Sequence, residues 1–242
     1  MKASARIVVE AGSGGASRLA VCSGEAPLLP RRTSRYGPLE VHLVGGAAGP
    51  LRGDDLCLRV EVGPGASLVL RTVASTVALA GPSRMTVQAV VEAGGKLEYL
   101  PEPVVASAVC DHVMRSTVEL DATARLVWRE ELVCGRYGEE PGDLVSSTTV
   151  RRAGVTLFRQ EIAVGPRTPA WYGPAMLGGA RTMGSILVVD PEWTVAPTAT
   201  ATTAIMPLAG PAVLITAVAD HAHDLRRTLD ELARLSEKAT SP

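Results

Sequence analysis

VEVGPGASLVL (Val60–Leu70), AVVEAGGKLEY (Ala89–Tyr99) and VELDATARLVW (Val118–Trp128) align with one another at a fixed offset. Leu68, Leu97 and Leu126 mark that offset, and it is the same from each to the next. Six positions before each Leu stands Val62, Val91 or Leu120, and two before it stands Ala66, Gly95 or Ala124. Each copy reads as an apolar strand end, a short turn of small and acidic residues, and a new strand carrying the Leu. A repeat of this length marks stacked supersecondary units, each burying its apolar face on its neighbours. The fold class this predicts is all-β: a body of stacked strands, solenoid-like or β-helix-like. Leu68, Leu97 and Leu126 should then lie in register inside one core.

The rest of the chain fits a single β domain over residues 1–242. Hydrophobic residues make up 46%, yet only eight residues are aromatic, so the core must be aliphatic. A net charge of −1 gives no electrostatic case for nucleic acid or an anionic membrane. No apolar run of spanning length occurs, and the first residues lack the apolar segment of a secretion signal. Cys22, Cys57, Cys110 and Cys134 show no paired spacing. They read as reduced thiols of a cytoplasmic protein.

Around the repeat, Ala5–Glu10 and Arg18–Ser23 read as strands about a Gly-Ser-Gly-Gly turn. Ala26–Pro38 reads as a surface loop and Leu39–Val44 as a strand. Gly135–Asp143 is a loop by composition, and Leu144–Arg151 pairs with Val155–Val164. Seven prolines between Gly165 and Pro211 predict long connections, with Gly184–Asp190 a strand among them. Ala212–Ala219 is the last strand. Leu225, Leu229, Leu232 and Leu235 then fall on one face of a C-terminal amphipathic helix at about 220–236, with Asp220 at its N-cap. Ala239–Pro242 should fray. The leucine face, with Leu225, Leu229 and Leu232, should pack on the β body or on a partner protein.

The chemistry-bearing residues argue against catalysis. No G-x-S-x-G elbow, Walker A loop or G-x-G-x-x-G fingerprint is present, and His42, His112, His221 and His223 are scattered. Cys110 and His112 share one face of a strand and form a local cluster of metal-ligating types. Asp54, Glu98, Glu139 and Glu161 are oxygen donors, which suit transient passage of a divalent ion better than tight storage. The base rate for each favours a solvated surface carboxylate.

Gly53-Asp54-Asp55-Leu56, the VxVGPGAxLxLxT pattern over Val60–Thr72, LEYLPEP over Leu97–Pro103, and Cys134-Gly135-Arg136 follow one another along the chain. In that order and at those spacings they resemble the UreD (UreH) family of urease accessory proteins. Leu177–Val189 is similar to a later segment of the family. The chain departs from the family pattern at Val77 and Leu79, where Lys and Tyr are usual, and shortens the loop before Glu139. The resemblance implies an all-β, solenoid-like, non-catalytic scaffold. It implies a UreF-like partner, a UreG-like GTPase recruited through it, and docking on urease apoprotein. It further implies nickel in transit, with no cofactor tightly bound. Thr76, Glu102 and Arg136 are family-motif positions. Glu98 is the first choice for an internal nickel path, followed by Asp54, Glu161 and Glu139. The competing readings are a β-helix-type hydrolase or lyase, which would need an aromatic-lined groove, and a structural solenoid without a metal role.

Overall fold

The computed structural model describes residues 1–193 and 195–238. Its strands are β1 (Lys2–Ala11), β2 (Ser17–Gly24), β3 (Leu28–Arg32), β4 (Glu40–Gly45), β5 (Asp55–Val62) and β6 (Ser67–Thr72). Next come β7 (Thr76–Ala78), β8 (Gly81–Val91), β9 (Lys96–Leu100), β10 (Val104–Ala106), β11 (Cys110–Leu120) and β12 (Arg125–Cys134). The last are β13 (Asp143–Arg152), β14 (Val155–Val164), β15 (Thr182–Val189), β16 (Thr198–Ala199), β17 (Thr203–Pro207) and β18 (Ala212–Ala219), followed by helix α1 (Ala222–Lys238).

The chain coils between two sheets, and the repeat is one coil. The first sheet runs β14-β13-β11-β8-β5-β1-β2; the second runs β16-β17-β18-β15-β12-β9-β6-β4-β3. Within the coils the pairing is parallel, β5 to β8 to β11 and β6 to β9 to β12. Leu68 pairs with Leu97, and Leu97 with Leu126. All three are buried to within 1%. Hairpin and meander pairs, β1 with β2, β13 with β14 and β12 with β15, close the stack antiparallel.

The turns stack as well as the strands. The Lys96 N–H donates to the Ala66 carbonyl and the Arg125 N–H to the Gly95 carbonyl, at 2.8 and 2.9 Å. The row Ala66, Gly95, Ala124 must be small because it is packed on all sides. A Cβ on Gly95 would lie 2.9 Å from the Glu92 carbonyl oxygen.

Three apolar clusters result. The largest lies between the sheets at the turn end, around Leu58, Leu68, Leu97, Leu126 and Trp128. A second, around Leu132, Cys134, Leu144, Trp171 and Leu177, fills the opposite end. The third lies outside the second sheet, where Leu225 and Leu229 of α1 cover Ile186, Val188 and Ile215.

Several expectations change. Leu28–Arg32 is a strand, although Pro30 lies in it: among the described residues β3 pairs only with β4 and forms the edge of the sheet, where a missing N–H is tolerated. β7 and β10 are additional strands, too short to carry a readable pattern. The helix begins at Ala222, with the His221 carbonyl accepting from the Leu225 N–H, so Asp220 lies one residue outside the cap position. The leucine face packs on the body, one of the two alternatives expected for it: Leu225 and Leu229 are fully buried and Leu232 partly so. The Leu235 side chain and Ala239–Pro242 lie outside the described residues.

Candidate functional site: a cavity between the sheets

The second sheet has a gap. β9 pairs with β12 as far as Trp128, and β10 resumes the pairing at Leu132. Between them the chain runs Pro101-Glu102-Pro103, and two prolines cannot donate to a ladder. Arg129, Glu130 and Glu131 therefore have no strand partner on this side among the described residues. A cavity of about 200 Å³ opens behind the gap. It separates the two interior apolar clusters. Thr72, Thr76, Tyr99, Glu102, Glu130 and Glu131 line the side of the second sheet. His112, Met114, Ser116 and Ser146 line the side of the first.

Glu130 is the distinctive group. Alternation along β12 turns Leu126, Trp128, Glu130, Leu132 and Cys134 toward the interior. The Thr148 hydroxyl donates to Glu130 Oε1 at 2.6 Å. No cation pairs with this carboxylate among the described residues. Its surface opens onto the cavity, yet protein surrounds it, and burial pushes its pKa up against the help of Thr148 and Trp128. The Tyr99 hydroxyl is raised by burial and then by the Glu130 charge. The Tyr99 and Trp128 rings pack 4.2 Å apart beside it.

At the gap the charges are matched. The Glu131 side chain is wholly buried beneath α1. Arg226 of the helix donates to Glu131 Oε1 and Oε2 at 2.8 and 3.0 Å, and to Glu102 Oε1 at 2.8 Å. Arg129 lies 3.2 Å from Glu131 and 3.6 Å from Asp230. Gly184 makes room, since a Cβ there would meet Leu229 Cδ1 at 2.7 Å and Glu131 Cγ at 3.2 Å. On the opposite wall, Ser83 Oγ lies 2.8 Å from His112 Nδ1. His112 Nε2 is buried and finds no partner among the described residues. Burial pushes its pKa down to about 4, against the pull of Asp111.

The structure brings together only part of the expected set. Thr76 and Glu102 line the cavity; the Thr72 hydroxyl accepts from the Glu102 N–H at 2.9 Å. Glu98 does not enter the interior. It stands on the outer face of β9, paired to Lys96 at 2.7 Å, because it alternates with the buried Leu97 and Tyr99. Asp54 is buried outside the cavity. It accepts from the Leu51 N–H at 2.8 Å and the Met1 amine at 2.9 Å, and those bonds hold it below the usual carboxylate range. Glu161 is exposed on the edge strand β14. Glu139 is clamped by Arg136, which lowers its pKa to about 2. Cys110 donates to the Asp143 carbonyl at 3.5 Å, and burial raises its thiol to about 11. Val77 and Leu79 do not line the cavity.

A family model described as "UreD urease accessory protein" matches residues 1–241. The chain is 44% identical to the urease accessory protein UreD of Parafrankia sp. (strain EAN1pec), over 96% of this chain and 88% of that one. It is 42% identical to that of Streptomyces avermitilis, over 96% of both. Similarity of this depth along nearly the whole length, on a stacked-strand fold with the expected register, means that the chain belongs to the UreD family of urease accessory proteins.

Proposed function

We propose that this protein is a non-catalytic scaffold in the maturation of nickel-dependent urease, and that its cavity passes nickel(II) in transit. In this reading it works in the cytoplasm. It binds a UreF-like protein, through which a UreG-like GTPase joins, and docks on urease apoprotein. Nickel is its cargo and no resident cofactor is needed. Glu130 carries the proposal. A carboxylate set in protein with no cation beside it is costly to keep, unless a cation visits it. Glu102 and Glu131, both bonded to Arg226, mark the gap where such a path would meet the outer face. Carboxylate and hydroxyl oxygens hold a divalent ion weakly enough to release it. Glu98, Asp54 and Glu139 are each engaged elsewhere, and Glu161 is exposed on an edge strand, so all four become secondary candidates.

Reconstituted activation of urease apoprotein tests this. Glu130→Gln keeps the shape and removes the charge. Activation should fall by about tenfold or more, a loss on the scale of a disturbed metal site, while co-purification with the UreF-like partner is retained. Full activation by Glu130→Gln would leave only the scaffold role, and loss of assembly would make Glu130 structural.

A further inference from the structure

The inward faces of β8 and β11 bring a second chemistry to the same cavity. Alternation sets Cys110, His112 and Met114 on one side of β11. In the parallel register, Ser83 stands beside His112 and Met85 beside Met114. His112, Met85 and Met114 all line the cavity, whereas Cys110 does not. His112 is 1% exposed, and the Ser83 contact at Nδ1 fixes its ring so that Nε2 stays buried and unpartnered.

A buried imidazole nitrogen without a partner is a costly arrangement in an apolar wall. Two thioethers, Met85 and Met114, line the same cavity on these two strands. Adjacent strands lie about 4.8 Å apart, and alternate residues of one strand about 6.6 Å apart. Those separations are within the sweep of methionine's three rotatable bonds. Imidazole held neutral, together with two thioethers, offers soft, uncharged donors. Such a set discriminates against hard divalent ions and favours a soft d10 monovalent cation. The facing wall, with Glu130 and Glu131, has the opposite preference. The facing wall also carries one thioether, Met183.

We propose that His112 Nε2 and the thioethers of Met85 and Met114 form a binding site for Cu(I). It is separate from the carboxylate route and does not depend on that route carrying nickel. The site involves no redox step, because the ion is supplied and held as Cu(I).

The test is a titration of the full chain, labelled with 13C at the methionine methyls, using Ag(I) as an air-stable probe and then Cu(I) without oxygen. The Met85 and Met114 methyl signals should shift and saturate with both ions, and the Met176 and Met206 signals should stay in place. Zn(II), diamagnetic and harder, should leave all of them unmoved. Against a bicinchoninate competitor, the Met85→Leu/Met114→Leu variant should hold Cu(I) roughly tenfold less tightly or worse. Cys22 and Cys57 are additional thiols that take soft ions, so the methyl shifts decide the location. Unmoved Met85 and Met114 methyls with Ag(I) would overturn the proposal, and so would an equal response to Zn(II). If the double variant fails to fold, the wild-type methyl shifts still settle the question.

Discussion

Arg226 donates to both carboxylate oxygens of Glu131, at 2.8 and 3.0 Å, across 95 residues of chain. The pair ties the terminal helix to the gap in the second sheet. Glu131 is fully buried and Arg226 only partly, so the carboxylate depends on the guanidinium more than the reverse. Arg226→Ala should cost about 3 kcal/mol, the lower end for breaking a buried pair, because Arg129 remains nearby. Arg226→Lys keeps the charge but not the fork, and should fall between. Urea unfolding midpoints at constant slope would measure both; a loss under about 0.5 kcal/mol would show the pair to be ornamental.

Leu97 is the middle of the stacked triplet. Leu97→Ala should cost about 2–5 kcal/mol, since the packed neighbours can collapse only partly into the space it leaves. Leu68→Ala/Leu97→Ala should differ from the sum of the singles, because the second truncation enlarges the first cavity. A double-mutant cycle in denaturant reads this directly.

Two groups in the cavity respond to acid with opposite sign. His112 is folded neutral, with its pKa lowered to about 4. As pH falls through the ordinary histidine value near 6.5, the unfolded chain gains a proton that the fold does not. Stability should therefore decline by about 3 kcal/mol between those two values. His112→Asn should flatten that slope. Glu130 has a raised pKa, so its charge weighs on the fold above the ordinary carboxylate range, and the weight lifts as pH falls through the raised value. Glu130→Gln should accordingly be more stable than wild type at neutral pH and equal to it in acid. Stability curves of the two variants between pH 4 and 8 would separate the groups; parallel curves would contradict both assignments.

Leu229 lies wholly buried between α1 and the outer face of β15 and β18. Leu229→Asp would place a charge there without a partner, and should leave the chain insoluble or without its helix. Circular dichroism and solubility check it. An unchanged, soluble variant would mean that the helix leaves the body easily.

The stack was legible because its signals are local. The turn residues and the Leu that follows each turn recur at one spacing, and parallel pairing at that offset puts Leu68, Leu97 and Leu126 in register. The site was less legible. Glu130 could have been found: it occupies an inward position of the Leu126, Trp128, Leu132, Cys134 alternation. Its neighbour Glu131 is also a carboxylate, so residue type alone does not single it out. Glu98 erred the other way, since its neighbour Leu97 already places it outside. Arg226 could not be found by pattern, because its partners are 95 and 124 residues away and only packing of the helix brings them together.

Coil-to-coil pairing at a constant offset also governs how the chain can assemble. Closing each new coil onto the last costs nearly the same chain entropy, because that cost depends only on loop length. Growth along the axis is then a series of equal steps from whichever coil forms first. β1 is the exception, because its parallel partner β5 lies beyond β2, β3 and β4 in the chain, with Lys2 paired to Asp55. Its docking needs the longer closure, so the edge built by β1 and β2 should be among the last parts of the molecule to become protected from hydrogen exchange during refolding.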